Sequence, residues 1–235
     1  MKPELRIKET APIDVKGGFM INGFPSTGIT SAIAAEFIIN GSQFEPAAII
    51  DSDSFPPISI IKNGSPSYPT RIFVNNDLKA AIFSSYITID VVLHRAIGEM
   101  MLNWATEKKC STIISSVTTK STSKEVVGVA STGAARGKLV AAGIKIAEHA
   151  TIPGIPGVLL NEGMARGQDV IVLLVGSESN KPDLRATSNL CDSLVKLIPG
   201  IANNLSLLEK EAKQIEEGIK QAETESRDLS ESMYR

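Results

Sequence analysis

Aromatic residues and cysteines are scarce in this sequence, and neither sign of charge is in large excess. The 235 residues include one Trp, three Tyr and two Cys, and the formal net charge is −2. Nucleic-acid binding is driven by basic side chains that release counterions from the phosphate backbone. This chain has no excess of basic residues, so we expect no nucleic-acid partner. The two distant cysteines, Cys110 and Cys191, predict buried apolar side chains rather than a disulfide or metal pair, which is typical of a reducing compartment.

Long apolar runs are also absent. No stretch approaches the roughly 18 residues that a membrane-spanning helix requires. The first ten residues, MKPELRIKET, have neither the apolar core nor the small-residue cleavage site of a secretory signal. We therefore expect a cytoplasmic protein with no membrane contact.

The 23–28 loop, Gly23-Phe24-Pro25-Ser26-Thr27-Gly28, is the one candidate anion site, because a glycine turn between a strand and a helix exposes backbone N–H groups. Ile29 follows where a Walker loop has its lysine, and the spacing does not match a Rossmann glycine motif. We interpret the loop as a tight turn in which Ser26 or Thr27 caps the next helix. A nucleoside phosphorylase-like or hydrolase-like enzyme using this loop remains an alternative.

Other catalytic and metal-binding patterns are missing. His94, predicted in the first half of a long helix, and His149, predicted at the end of another, have no ligand-like neighbours in the sequence. No G-x-S-x-G motif is present. The Asp51-Ser52-Asp53-Ser54 segment is interpreted as a solvated turn. We expect no catalytic residues, no metal and no cofactor, and hence no enzyme.

Hydrophobic periodicity predicts an α/β body in which strands and helices alternate. The residue 89–109 helix carries an apolar stripe of Val92, Ala96, Met100 and Trp104. Strands are predicted at residues 19–21, 47–50, 58–61, 71–74, 79–84, 111–117, 126–130 and 169–176. Helices are predicted at residues 29–39, 89–109, 138–150, 158–164 and 183–197. The order favours a three-layer α/β/α domain at residues 1–199 with a mostly parallel mixed sheet.

Residues 200–235 predict an amphipathic helical tail with a heptad-like apolar repeat. The repeat consists of Ile201, Leu205, Leu208, Ala212, Ile215, Ile219, Ala222, Ser226 and Leu229. Three favourable i,i+4 pairs are predicted: Glu209 with Lys213, Glu216 with Lys220, and Glu223 with Arg227. Acidic flanking positions disfavour pairing of identical tails, so we favour an arm lying on its own oligomer or on a partner. A homomeric coiled coil and a tail packed on its own body remain alternatives.

The chain ends in Met233, Tyr234 and Arg235, which place an apolar side chain and an aromatic side chain beside a terminal carboxylate. Backbone nests and neighbouring pockets capture such termini. Tyrosine provides a large contact area at modest entropic cost. These three residues are the predicted partner-binding site.

The body resembles the archaeal proteasome assembly chaperone family over roughly residues 15–199. The resemblance is carried, in order, by the 23–28 loop with its Ala-rich helix, Phe55-Pro56-Pro57, Gly154-Ile155-Pro156-Gly157, Asn161-Glu162-Gly163 and Gly167-Gln168-Asp169. The terminal Met233-Tyr234-Arg235 matches the family's hydrophobic-Tyr-X motif position by position.

The resemblance implies a fold similar to nucleoside phosphorylases without their catalysis. It also implies homo-oligomers, or hetero-oligomers with a related subunit, that engage the proteasome core particle. Tails of this type are expected to enter pockets between α-subunits. An ATP-independent assembly chaperone or cap is therefore the leading hypothesis, with the enzyme and an oligomeric scaffold whose tail is structural as alternatives.

Overall fold

A computed structural model describes residues 4–25, 29–62, 64–121, 123–177, 183–201 and 208–233, with the side chains of the last helix described from 212 to 229. The strands are Leu5–Glu9 (β1), Phe19–Gly23 (β2), Glu45–Ser52 (β3), Ile60–Lys62 (β4), Ser65–Ser67 (β5), Thr70–Asn75 (β6), Ala80–Ser85 (β7), Thr112–Lys120 (β8), Val127–Ala130 (β9), Lys145–Ile146 (β10) and Val170–Ser177 (β11). The α-helices are Thr30–Gly41 (α1), His94–Glu107 (α2), Gly133–Ala141 (α3), Gly154–Arg166 (α4), Leu184–Leu197 (α5) and Leu208–Met233 (α6).

Nine strands form one mixed sheet in the order β1-β3-β6-β7-β2-β8-β11-β9-β10. The four central strands β7, β2, β8 and β11 run parallel to one another. Both flanks contain antiparallel pairs, β6 with β7 on one side and β9 with β11 on the other. The short strands β4 and β5 form a separate hairpin.

Helices cover both faces of the sheet and produce two apolar cores. Residues of α1, α3, α5 and α6 pack on one face together with Ile21, Ile82 and Leu173. The other face carries α2 and α4, with Phe83 meeting Trp104 edge-to-face at a centroid distance of 5.1 Å. The predicted three-layer α/β/α fold with a C-terminal helix is confirmed. Within the described ranges, no helix is long and apolar enough to span a membrane.

The predicted apolar stripe on the 89–109 helix is confirmed at Trp104, which is 4% exposed, and wrong at Val92, which is 75% exposed. Leu93, Ile97 and Met101 are buried instead. Val92 lies in a 3₁₀ turn at Val91–Leu93, in which the Asp90 side chain accepts a hydrogen bond from the Val92 N–H. A strict four-residue spacing also drifts by about 40° per step in a helix of 3.6 residues per turn, so residues twelve apart do not share one face.

The predicted 138–150 helix is also wrong, because α3 begins and ends earlier. Thr132 caps its start by accepting from the Ala135 N–H at 3.0 Å. Gly143, with a left-handed φ of 68°, follows its end and turns the chain into β10. His149 therefore lies in the loop after β10 rather than at a helix end. The predicted 158–164 helix starts earlier too, at Gly154.

Candidate docking site at the C-terminal helix

The first half of α6 is packed on the body of its own chain. Ala212, Ile215, Ile219 and Ala222 are each exposed by 5% or less. They follow the predicted three-four spacing, and α6 contacts α1 and α5. Since the body buries this part of the apolar repeat, these four residues have no face left for a coiled coil between copies.

Two local features fix the distance between α6 and the body. A Cβ placed on Gly218 would lie 2.8 Å from the ring of Tyr86, so glycine permits the close approach at this point. One turn later, the Thr88 hydroxyl donates a hydrogen bond to Oε1 of Glu223 at 2.7 Å. Glycine in a helix interior costs about 1 kcal/mol relative to alanine, and the packing against Tyr86 accounts for its use here.

The second half of α6 has a different environment. No side chain from Glu223 to Leu229 is buried, and Leu229 is 39% exposed. Of the three predicted i,i+4 pairs, Glu216 with Lys220 is present at 2.5 Å. In the predicted pair of Glu223 with Arg227, Glu223 accepts a hydrogen bond from Thr88 instead. The predicted pair of Glu209 with Lys213 stays a prediction, because the Glu209 side chain is not among the described ones.

Met233, the first residue of the predicted partner-binding site, is the last residue of α6. Tyr234 and Arg235 lie outside the described residues. The structure therefore places the start of the terminal motif at the end of a helix anchored about three turns earlier, at Ala222.

A groove of about 700 Å³ separates the second half of α6 from the body. Asp53 to Pro57 form one wall, and residues 87–90 with Leu93 form the floor. On the α6 side, the groove is lined by Ala222, Glu223, Ser226, Arg227 and Leu229. The Phe55-Pro56-Pro57 motif, which carried part of the family resemblance, thus lies opposite the tail helix.

Asp53 at the groove edge is ion-paired with Arg6 of β1 at 2.5 Å. The hydrogen bond and charge of Arg6 lower the pKa of Asp53 below its usual value. The predicted solvated turn at residues 51–54 is therefore tied to the N-terminal strand, whose Leu5 pairs with Ser52.

The other sequence-predicted candidate, the 23–28 loop, leads from β2 into α1. Residues 26–28, including the proposed caps Ser26 and Thr27, lie outside the described residues. The N-cap position of α1 is held by Ile29 in a left-handed conformation with φ of 48°, and the aliphatic side chain of Ile29 makes no capping hydrogen bond. Gly23 is required by packing, since a Cβ there would lie 2.3 Å from Cβ of Ala35.

Polar side chains near this loop bond one another within the protein. Asn22 Nδ2 donates to Ser115 Oγ at 2.9 Å, and Ser31 Oγ donates to the Phe24 carbonyl at 2.7 Å. On α1, the buried Glu36 accepts from Ser84 Oγ at 3.0 Å. The cavity beside Asn22 and Ser115 measures only about 10 Å³, which is about the volume needed to hold one water molecule.

Two further groups of titratable side chains have structural roles. Desolvation acts to raise the pKa of Asp169, but hydrogen bonds from Thr132 and Lys138 outweigh it and leave that pKa lowered. Burial raises the pKa of the Cys110 and Cys191 thiols to about 12, so both remain protonated near neutral pH.

Known proteins similar to this chain point to one family. A family model described as the PAC2 family matches residues 20–223. Pyrococcus furiosus PbaA, described as an archaeal homolog of proteasome-assembly chaperone, is 26% identical with a TM-score of 0.82, and the match covers 97% of this chain and 100% of that one. An uncharacterized Methanocaldococcus jannaschii protein is 27% identical over 222 residues, which is 94% of this chain and 92% of the relative.

A second Pyrococcus furiosus structure shares the fold. PbaB, described as an archaeal proteasome activator, is 21% identical with a TM-score of 0.73, and the match covers 95% of this chain and 100% of that one. The overall fold thus recurs in these proteins.

Proposed function

The chain belongs to the PAC2 family, as its resemblance to proteasome assembly chaperones predicted, and on that basis we propose that it is an ATP-independent assembly chaperone or cap of the proteasome core particle. In this proposal the C-terminal tail, ending in Met233, Tyr234 and Arg235, docks into pockets between α-subunits. The protein acts in the cytoplasm and has no nucleic-acid partner.

Two similar proteins support a role in proteasome assembly or activation. PbaA is described as a homolog of proteasome-assembly chaperone and shares 26% identity over nearly the whole chain. PbaB, described as a proteasome activator, has the same fold. We transfer proteasome binding, in assembly or activation, from these descriptions to this chain.

The observation that carries the tail-docking part is the change of environment along α6. The helix is anchored through Ile215, Ile219 and Ala222, whereas no described side chain beyond Ala222 is buried. In this proposal, a helix that is anchored in its first half and not buried in its second half presents the terminal motif to a partner. Such preorganisation reduces the entropy lost on binding.

Oligomerisation would strengthen docking. One tail with a single aromatic anchor binds weakly, whereas several tails on one oligomer gain effective concentration and can increase avidity by about 10² to 10⁴ when they engage together. We therefore propose a homo-oligomer, or a hetero-oligomer with a related subunit, as the active form.

A non-enzymatic role is part of the proposal. The phosphorylase-like alternative would need a nucleoside-sized pocket beside the 23–28 loop, and ligand pockets are typically about 300–1,000 Å³. Among the residues that the structure describes at this loop, which exclude 26–28, the cavity next to Asn22 and Ser115 is about 10 Å³. A phosphate-dependent nucleoside cleavage assay tests this directly, and turnover would refute the non-enzymatic assignment.

The test of docking is removal of the last three residues. We expect the variant lacking Met233, Tyr234 and Arg235 to unfold at the same denaturant concentration as the full chain but to lose co-sedimentation with archaeal α-subunit rings. Co-sedimentation at full-length strength would refute tail docking.

The packed first half of α6 also favours a second candidate, an oligomeric scaffold whose tail is structural. The same deletion separates the two hypotheses. A structural tail leaves ring binding unchanged when three terminal residues are lost, whereas a docking tail does not.

A further inference from the structure

We propose that the groove between the second half of α6 and the Phe55-Pro56-Pro57 loop binds a segment of a partner protein that carries apolar side chains flanked by lysine or arginine. The site consists of described residues between Asp53 and Pro57, between Ile87 and Leu93, and between Ala222 and Leu229. The proposal does not rest on the docking of the terminal Met233-Tyr234-Arg235 motif to the proteasome.

The floor and walls of the groove are apolar. Ile87, Ile89 and Leu93 line it and are buried, and Phe55 and Leu229 line it with part of their surfaces exposed. The volume of about 700 Å³ lies within the range of pockets that enclose ligand groups.

Exposed apolar surface continues beside the groove. Val91 and Val92, in the 3₁₀ turn between the lining residues Asp90 and Leu93, are 71% and 75% exposed. Single exposed apolar residues are ordinary, but a contiguous patch rimmed by polar groups is typical of a protein-binding surface. The two exposed valines next to Asp90 and Leu93 therefore add to the apolar surface that the groove offers a partner.

The rim of the groove is acidic and decides the chemistry of the occupant. Three lining residues are acidic, namely Asp53, Asp90 and Glu223, against one basic residue, Arg227. Arg6 pairs with Asp53, whereas Asp90 and Glu223 have no ion pair among the residues the structure describes. A partner segment with basic flanks would complement these two carboxylates.

The same charges disfavour a competing occupant. The α6 helix of a second copy has eight acidic and four basic residues between Leu208 and Met233, so its charges would repel Asp90 and Glu223 if its apolar side chains filled the groove. Like-charge contacts of this kind suppress wrong partners. We therefore assign the groove to a basic-flanked apolar segment of another protein.

The probe is a pair of fluorescent peptide pools with the same randomised core of four Val, Ile, Leu or Phe residues. One pool has two lysines at each end, and the other has two glutamates. We expect the lysine-flanked pool to bind the full-length protein about tenfold or more tightly than the glutamate-flanked pool, as measured by fluorescence anisotropy at low salt.

Variants locate the binding. The double variant Asp90→Asn/Glu223→Gln should weaken lysine-flanked binding about tenfold, since each rim charge contributes about threefold. Both changes keep the oxygens that accept from the Val92 N–H and the Thr88 hydroxyl. Leu229→Ser, on an exposed side chain, should weaken binding of the lysine-flanked pool by at least about threefold.

The matched control is Glu217→Gln, which also removes one negative charge from α6. Glu217 does not line the groove but lies on a different surface, together with Ile61 and Tyr86. This variant should bind like the wild type. Failure of both pools to bind, or equal losses in Glu217→Gln and Glu223→Gln, would overturn the proposal. A second result would also overturn it: the wild type binds neither pool, and Leu229→Glu changes the oligomeric mass. The groove would then be an interface between copies.

Discussion

The two halves of α6 share one sequence pattern but have different surroundings. The same three-four spacing continues from Ile215, Ile219 and Ala222 to Ser226 and Leu229. Ile215, Ile219 and Ala222 are buried against the body, whereas Ser226 and Leu229 line the groove without being buried. The body beneath the helix, rather than the periodicity of the helix itself, thus determines which part anchors and which part remains accessible.

The largest expected difference between the halves is in folding stability. Ile219→Ala should lower the free energy of unfolding by about 2–4 kcal/mol, because it leaves a cavity under α6. Leu229→Ala should change that free energy by less than about 0.5 kcal/mol, because the side chain is not buried. Denaturant titration of both variants measures the contrast, and equal effects would mean that α6 is packed along its whole length.

Proteolysis should distinguish the halves by rate. Trypsin should cleave after Arg227 on the order of 30–100-fold faster than after Lys213 or Lys220, because cleavage at the latter two requires detachment of the packed segment. Mass spectrometry of timed digests identifies the cut sites. Earlier cleavage after Lys213 would show that the first half is not the anchored one.

Glycine substitutions test how closely the first half of α6 approaches the body. Gly218→Ala should lower the free energy of unfolding by about 1 kcal/mol, since the clash with Tyr86 outweighs the gain in helix propensity. The control is Gly137→Ala in α3, where a Cβ would meet no atom within 4 Å. That change should stabilise the protein by about 0.5–1 kcal/mol, and stabilisation by both substitutions would contradict the close approach of α6 to Tyr86.

The smallest change in the free energy of unfolding is expected at the ion pair of Lys138 with Asp169, which lies away from α6. This pair is a reference for the pH dependence of stability. Lys138 Nζ donates to Asp169 at 2.9 Å, and the pKa of Asp169 is lowered in the folded protein. The resulting stabilisation is present above the unfolded pKa of about 3.9 and is lost as pH falls through the lower folded pKa.

Lys138→Met should therefore cost about 0.5–1 kcal/mol at neutral pH. The cost should shrink as the pH falls below about 4. Urea titrations at several pH values measure both effects, and a cost that is constant down to pH 2 would show that the ion pair does not contribute to it.

Local sequence patterns predicted much of the fold, because several elements have strong signals of their own. The unbroken apolar run of β11 and the repeat of α6 are examples, and both elements are present. Strand β1 was missed, since only Leu5 and Ile7 of its five residues are even partly buried. The buried face of α2 was predicted only in part, at Trp104, because Val92 lies in the preceding 3₁₀ turn and a strict four-residue spacing drifts around a helix of 3.6 residues per turn.

The groove could not be predicted from the sequence, because its walls come from segments far apart in the chain. Thr88 and Glu223 are separated by 135 positions yet form one hydrogen bond. Phe55-Pro56-Pro57 was recognised as part of a family resemblance, but only the fold places it opposite Leu229. The predicted terminal motif has a clearer sequence signal, and its docking remains a prediction.

We propose that Tyr234, which follows the last residue of α6 in the sequence, is the residue through which the protein binds the proteasome. Native mass spectrometry of archaeal α-subunit rings mixed with wild-type protein, with Tyr234→Ala or with Tyr234→Phe tests this directly. We predict a ring-bound complex for the wild type and for Tyr234→Phe, which keeps the aromatic ring. The complex should be lost in Tyr234→Ala, because this change removes an aromatic anchor that contributes about 2 kcal/mol or more. A ring-bound complex of Tyr234→Ala as abundant as that of the wild type would contradict the account.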